Sequence, residues 1–153
     1  MGSNFWNLRI NERLFEWKDF RHNIDSLPLE RALVEVNNLW SSAPFVTYYL
    51  NSDAPETWPD PWTLLAENYY CDLAKALGIL YTIYFTSHKS NNMSLCVYYN
   101  YKDKVRSNLV SIDHGKYILN YWPCEIVNTK QIENEQMKLL YSYTAKDLHL
   151  EKY

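Results

Sequence analysis

Apolar residues recur at helical spacing from Leu29 onward. Leu29, Ala32, Leu33, Val36, Leu39 and Trp40 fall on one stripe and predict an amphipathic helix. Ser26-Leu27-Pro28 marks its start: Ser26 can cap it, and Pro28 suits a first turn in which its missing N–H is not needed. A second stripe, Trp62, Leu65, Ala66, Tyr69, Leu73, Ala74 and Leu77, predicts one helix capped by Asp60, with Pro61 at its first position and Gly78 as its stop. Cys71 then lies in the interior of that helix. Downstream the pattern becomes that of strands, at 79–85 (ILYTIYF), 93–101 (MSLCVYYNY), 109–113 (LVSID) and 116–121 (KYILNY), with His114-Gly115 as a hairpin turn between the last two.

The segments around these elements are less regular. Residues 41–61 hold four of the six prolines and read as a shaped connection, with a short strand at 45–50. Residues 1–25 mix aromatic and charged side chains without a clean period, as a short strand or an arm, and residues 129–153 are polar with scattered aromatics, as a short helix and a tail. The order, helices first and an antiparallel sheet after, predicts an α+β fold: one domain over 1–153 with a core at about 26–128 and an arm at each end.

Composition narrows the partners. Fourteen tyrosines and six tryptophans suit either partly wet contact surfaces or a tyrosine-rich sheet face. Within WPDPW, Trp58 and Trp62 can form a ligand platform or tie the loop to the core, the less demanding account. The net charge of −3, with Lys and Arg scattered, argues against nucleic acid as the main partner, since phosphate binding needs a concentrated basic surface. No run of eighteen apolar residues and no signal-peptide pattern is present, so no membrane is expected and the chain is expected in a cytosol. Cys71, Cys96 and Cys124 lack C-x-x-C spacing, so neither disulfides nor a metal is expected, and the absence of nucleotide or metalloprotease motifs leaves no cofactor expected.

Two stretches resemble the transglutaminase-like branch of the papain-like cysteine hydrolases, especially the bacterial transglutaminase-like cysteine proteinases. CDLAKALGI, residues 71–79, is similar to the core helix that the family's nucleophilic cysteine begins. NLVSIDHGKYILNY, residues 108–121, is similar to the hairpin that carries the family's histidine and its orienting Asp or Asn. The resemblance implies Cys71 at the nucleophile's position and Asn120 at the orienting one, with Ser107-Asn108 standing where the histidine belongs. Neither of those side chains accepts a thiol proton near neutral pH, and a cysteine nucleophile depends on an adjacent base or cation. Cys71, Asn108 and Asn120 therefore read as vestigial positions, and a buried small hydrophobe is the commoner state of a free cysteine; Cys96 and Cys124 read as packing.

Three functions are consistent with these features. The first is a non-enzymatic virion component or assembly factor, by a resemblance in style to small structural proteins of tailed bacteriophages, made in the host cytoplasm and binding neighbouring virion proteins. The second is a cysteine hydrolase or acyltransferase with Cys71 as nucleophile, Asn120 as orienting group and His88 or His114 as the base. The third is a binding module for a peptide or small molecule in the old cleft, lined by Tyr69, Tyr70 and Trp122. His22 and His149 have no partner in view.

Overall fold

The computed structural model describes residues 2–123, 125–133 and 135–153. The chain opens with helices α1 (Gly2–Trp6), α2 (Ile10–Asp25) and α3 (Leu29–Ser41), followed after the proline-rich connection by α4 (Pro61–Leu65) and α5 (Asp72–Tyr84). Strands β1 (Met93–Asn100), β2 (Val105–Ile112), β3 (Tyr117–Trp122) and β4 (Glu125–Val127) follow, then α6 (Thr129–Glu133) and β5 (Met137–Thr144). The five strands form one antiparallel sheet in the order β4-β3-β2-β1-β5. This is the expected α+β architecture, with helices laid on an antiparallel sheet.

Helix α5 lies between α3 and the sheet, and every residue from Leu73 to Ile83 is buried. Covered on both sides, it is apolar all round, which corrects two expectations. Gly78 does not stop the helix, and 79–85 is helical up to Tyr84 rather than a strand. Glycine is needed at 78 for close approach, since a Cβ there would stand 2.4 Å from the indole ring of Trp40. One turn on, the Thr82 hydroxyl accepts hydrogen bonds from Trp17 Nε1 and Trp40 Nε1, both at 3.0 Å, and donates to Gly78 O at 2.7 Å.

The terminal segments belong to the packed structure. Phe5, Trp6, Trp17, Phe20 and Ile24 are buried in the main core, so residues 1–25 are core helices rather than a strand or an arm. Arg13, also buried, donates to Leu65 O and Glu67 O at the end of α4 and to Trp6 O and Leu8 O at the end of α1, tying the ends of two helices together. At the other end β5 pairs with β1 along the sheet edge, and Leu150 is buried, where only a short helix and a tail were expected.

Smaller corrections concern boundaries. Helix α3 keeps its predicted apolar stripe, but Pro28 is its N-cap, and Ser26 Oγ donates to Asn23 O at the end of α2. Residues 45–50 contribute only an isolated bridge, Phe45 to Tyr70. Between β2 and β3 the turn spans 113–116, with Asp113, His114 and Gly115 all at positive φ, so it is longer than a two-residue hairpin. Among the described residues no helix is long and apolar enough to cross a membrane.

Candidate functional site

The predicted helix from Asp60 to Leu77 is two helices. Asp60 caps α4 by accepting from Thr63 N at 2.7 Å, but the chain leaves the helix after Leu65 and restarts at Asp72. The turn between is pinned by Tyr70, whose hydroxyl donates to Leu64 O and whose backbone pairs with Pro44 O and Val46 N. Cys71 is consequently not in a helix interior. It is the N-cap of α5, extended at φ −77° and ψ 172°, and its carbonyl accepts the first bond of the helix from Lys75 N at 3.0 Å. The backbone N–H groups of the first turn point outward there, as at any helix N-terminus.

Asp72, the next residue, is where the two strand positions converge. Asn108 on β2 donates to Asp72 Oδ2 from its backbone N–H (3.0 Å) and from Nδ2 (2.9 Å). Asn120 on β3 donates from Nδ2 to Asp72 Oδ1 (3.2 Å), Asp72 O (3.3 Å) and Asn108 O (2.8 Å). Asn120 reaches across because it sits at φ +68°, in the left-handed region that asparagine tolerates, where the pairing of β3 with β4 shifts register. Asn37 of α3 clamps this irregularity: its Oδ1 accepts from Asn120 N (2.9 Å), and its Nδ2 donates to Trp122 O (3.0 Å). The strand register thus turns Asn108 inward and buries it.

Burial raises the Asp72 carboxyl above the usual carboxylate range, opposed by the hydrogen bonds from Asn108 and Asn120 and by the charge of Lys75. Lys75 is shifted the other way, lowered by burial and partly restored by Asp72. Its Nζ donates to Ser41 O at 3.3 Å and lies 5.6 Å from the centre of the Phe45 ring.

Two clefts meet here. The larger, about 390 Å³, is mostly apolar and is lined by Phe45, Leu50, Leu73 and Val105 together with Cys71, Asp72, Arg106 and Asn108. The smaller, about 190 Å³, is lined by Lys75, Asn120, Trp122 and Asn37. Asp72 and Phe45 border both.

The structure therefore brings Cys71, Asn108 and Asn120 to one place and adds Asp72, which sequence reasoning passed over. A signal was present: Asp72 and Lys75 are the only charged residues in the apolar run DLAKALGILYTIY. The histidines are elsewhere, and none lines either cleft. His88 follows the far end of α5, a helix roughly 20 Å long at 1.5 Å per residue, and its Nε2 bonds Ile24 O. His114 lies six residues beyond Asn108, roughly 20 Å along an extended strand. Of the five aromatics singled out from the sequence, Trp58, Trp62, Tyr69, Tyr70 and Trp122, Trp122 alone borders these clefts. Tyr70 is fully buried; Trp58 is held by Asn51 O and Tyr143; Trp62 packs on Phe85 and Tyr153; and Tyr69 lines a shallow surface hollow with Tyr49. Cys96 is buried near Ser94 and Ser142, while Cys124 lies outside the described residues. Among the described residues no three His, Cys, Asp or Glu side chains gather as metal ligands.

No family model matches the sequence, and no curated protein matches it either. Solved structures do. Legionella pneumophila LapG treated with EGTA superposes with a TM-score of 0.73 at 14% identity, over 89% of this chain and 74% of that one. The calcium-bound form of the same protein gives a TM-score of 0.72 at 12% identity, over 95% of this chain and 89% of that one. The fold is thus the transglutaminase-like one. This likeness corrects the expectation that the chain is not an enzyme: Cys71, Asn108 and Asn120 sit on a fold shared with LapG, which is itself a cysteine protease.

Proposed function

We propose that the chain is a cysteine-dependent acyl-transfer enzyme, hydrolase or transferase, with Cys71 as nucleophile and Asp72 in the part that a histidine plays in the related enzymes. One observation carries this reading: Cys71 and Asp72 stand side by side at the head of α5 in the larger cleft, and Asn108 and Asn120 hold the carboxyl in place. This reading takes the place of a virion component and of a base drawn from His88 or His114.

The chemistry follows from the positions. Cys71 Sγ attacks a carbonyl carbon of an amide or ester, and the thiol proton passes to the Asp72 carboxylate. Oxygen charge that builds up in the tetrahedral intermediate faces the free N–H groups of the first turn of α5. The departing amine or alcohol takes the proton back from Asp72, leaving an acyl thioester on Cys71 that water or an amine resolves. A carboxyl lifted by burial is a stronger base than an exposed one, and the two asparagines act as positioning residues that keep it aimed.

The test is site-resolved alkylation with iodoacetamide, read by mass spectrometry. Cys71 is only 2% exposed, so a reagent reaches its thiol through the cleft or not at all. Cys71 is expected to be modified in the folded protein, faster than Cys96, and Asp72→Asn is expected to slow it by about 100-fold or more. Modification of Cys71 only after denaturation, or at an unchanged rate in Asp72→Asn, would overturn the assignment.

A further inference from the structure

Asn108 carries a feature that the reaction above does not use. The side chain is 6% exposed and lines the larger cleft. Both its backbone N–H and its Nδ2 are committed to Asp72, so its Oδ1 faces away from the carboxylate. That oxygen is buried, and among the described residues no donor reaches it. An acceptor removed from water and left without a donor is costly, and the cost is recovered by any ligand that brings an N–H to it.

The rest of the cleft narrows what such a ligand looks like. Leu50 and Leu73 are buried in its wall, while Phe45, Tyr48 and Val105 on its rim are 63%, 68% and 52% exposed. Those exposed rings have little packing to lose when a ligand displaces them to reach Asn108. An alanine-sized group would leave most of this apolar wall without partner atoms, whereas a leucine or phenylalanine side chain would contact it. Among the described residues Arg106 is the one cation lining the cleft, its guanidinium bonded to Ser52 Oγ and 5.8 Å from the Tyr141 ring. It offers a partner to a carboxylate at the mouth.

We infer that the larger cleft takes a peptide segment with a bulky apolar side chain. The backbone N–H of that residue is donated to Asn108 Oδ1, and a carboxylate on its C-terminal side is met by Arg106. Asn108 is then a specificity-determining residue. The inference rests on the acyl-transfer reading for the choice of this cleft as the substrate's, but its test involves no step at Cys71.

The probe is N-acetyl-leucine, which carries the side chain, the N–H and the carboxylate in one small molecule. Isotope-labelled full-length protein is titrated with it and followed by amide chemical shifts, alongside N-acetyl-N-methyl-leucine, N-acetyl-alanine and N-acetyl-leucinamide. Shifts are expected at residues 45–52, 71–73 and 105–108. Affinity is expected to fall about tenfold when the N–H is methylated, with losses of at least a few-fold for the alanine and amide analogues. Equal binding of the N-methyl analogue, shifts centred elsewhere, or no saturable binding up to roughly 10 mM would overturn it. Discrimination by the N–H with an inert Cys71 would keep this inference and remove the acyl-transfer reading. A reactive Cys71 with no such discrimination would do the reverse.

Discussion

Thr82→Val isolates the contribution of one buried oxygen. The Thr82 hydroxyl uses its full capacity, accepting from two indole N–H groups and donating once to Gly78 O. Valine is nearly the same shape, so the substitution makes no cavity and removes only the hydrogen bonds. Trp17 and Trp40 are 0% exposed, so neither indole can turn to water. Each buried donor left alone costs about 1–3 kcal/mol, and the two together give about 2–6 kcal/mol. The hydroxyl's own desolvation, no longer incurred, offsets part of this and brings the expectation to about 2–4 kcal/mol, a large share of the roughly 5–15 kcal/mol that holds a domain folded. The assay is urea unfolding followed by circular dichroism on wild type, Thr82→Val and Thr82→Ser. Serine keeps the acceptor and loses a methyl group, and it should cost about 1 kcal/mol. If valine costs under about 0.5 kcal/mol, or no more than serine, the indole bonds are not what stabilises this part of the core, and the reasoning fails.

Gly78→Ala should destabilise by more than about 2 kcal/mol despite alanine's helix preference of about 1 kcal/mol, because the new methyl would stand 2.4 Å from the Trp40 ring; the same denaturation series checks it, and a gain in stability would refute the close packing. Arg13→Met keeps length and bulk but removes a donor from each of four carbonyl oxygens, of which Glu67 O keeps the Tyr70 hydroxyl, so a loss of about 3–5 kcal/mol is expected, with faster hydrogen exchange in residues 65–70 before Cys71. The Asp72 carboxyl, raised by burial in the folded state, contributes stability that is present below its unfolded pKa and lost as pH rises through the folded one. The stability of wild type relative to Asp72→Asn should therefore fall as pH rises above the ordinary carboxylate range. Urea melts from pH 4 to 8 would show the opposite slope if the asparagine hydrogen bonds outweighed burial.

Much of the architecture was legible locally. The stripe of α3, the strand pattern of β1 to β3 and the placing of Asn108 and Asn120 on neighbouring strands all follow from periodicity and from the likeness of two short stretches to a known helix and hairpin. The errors cluster where burial overrides local preference. ILYTIYF is built of strand-forming residues, yet it is helical because α3 covers one side and the sheet the other, so no polar face is required of it. The lone threonine in that run was a readable sign of a buried polar contact. Residues 1–25 show no period because their charged positions include Arg13, which is buried against carbonyls rather than facing water.

By itself the sequence determined the class of fold and the absence of a histidine from the strand position that Asn108 occupies, since each depends on residue type and short-range spacing. Tertiary structure decided where α5 begins and what faces Asn108. Tyr70 is pinned to Pro44 and Val46, 24 to 26 residues away in the chain, and this places the helix start after Cys71. Strands β2 and β3 then bring Asn108 and Asn120 onto Asp72 rather than onto the thiol. Contacts of that span are invisible to periodicity, because they arise only when the apolar faces of helix and sheet close together and every buried polar group must find its partner.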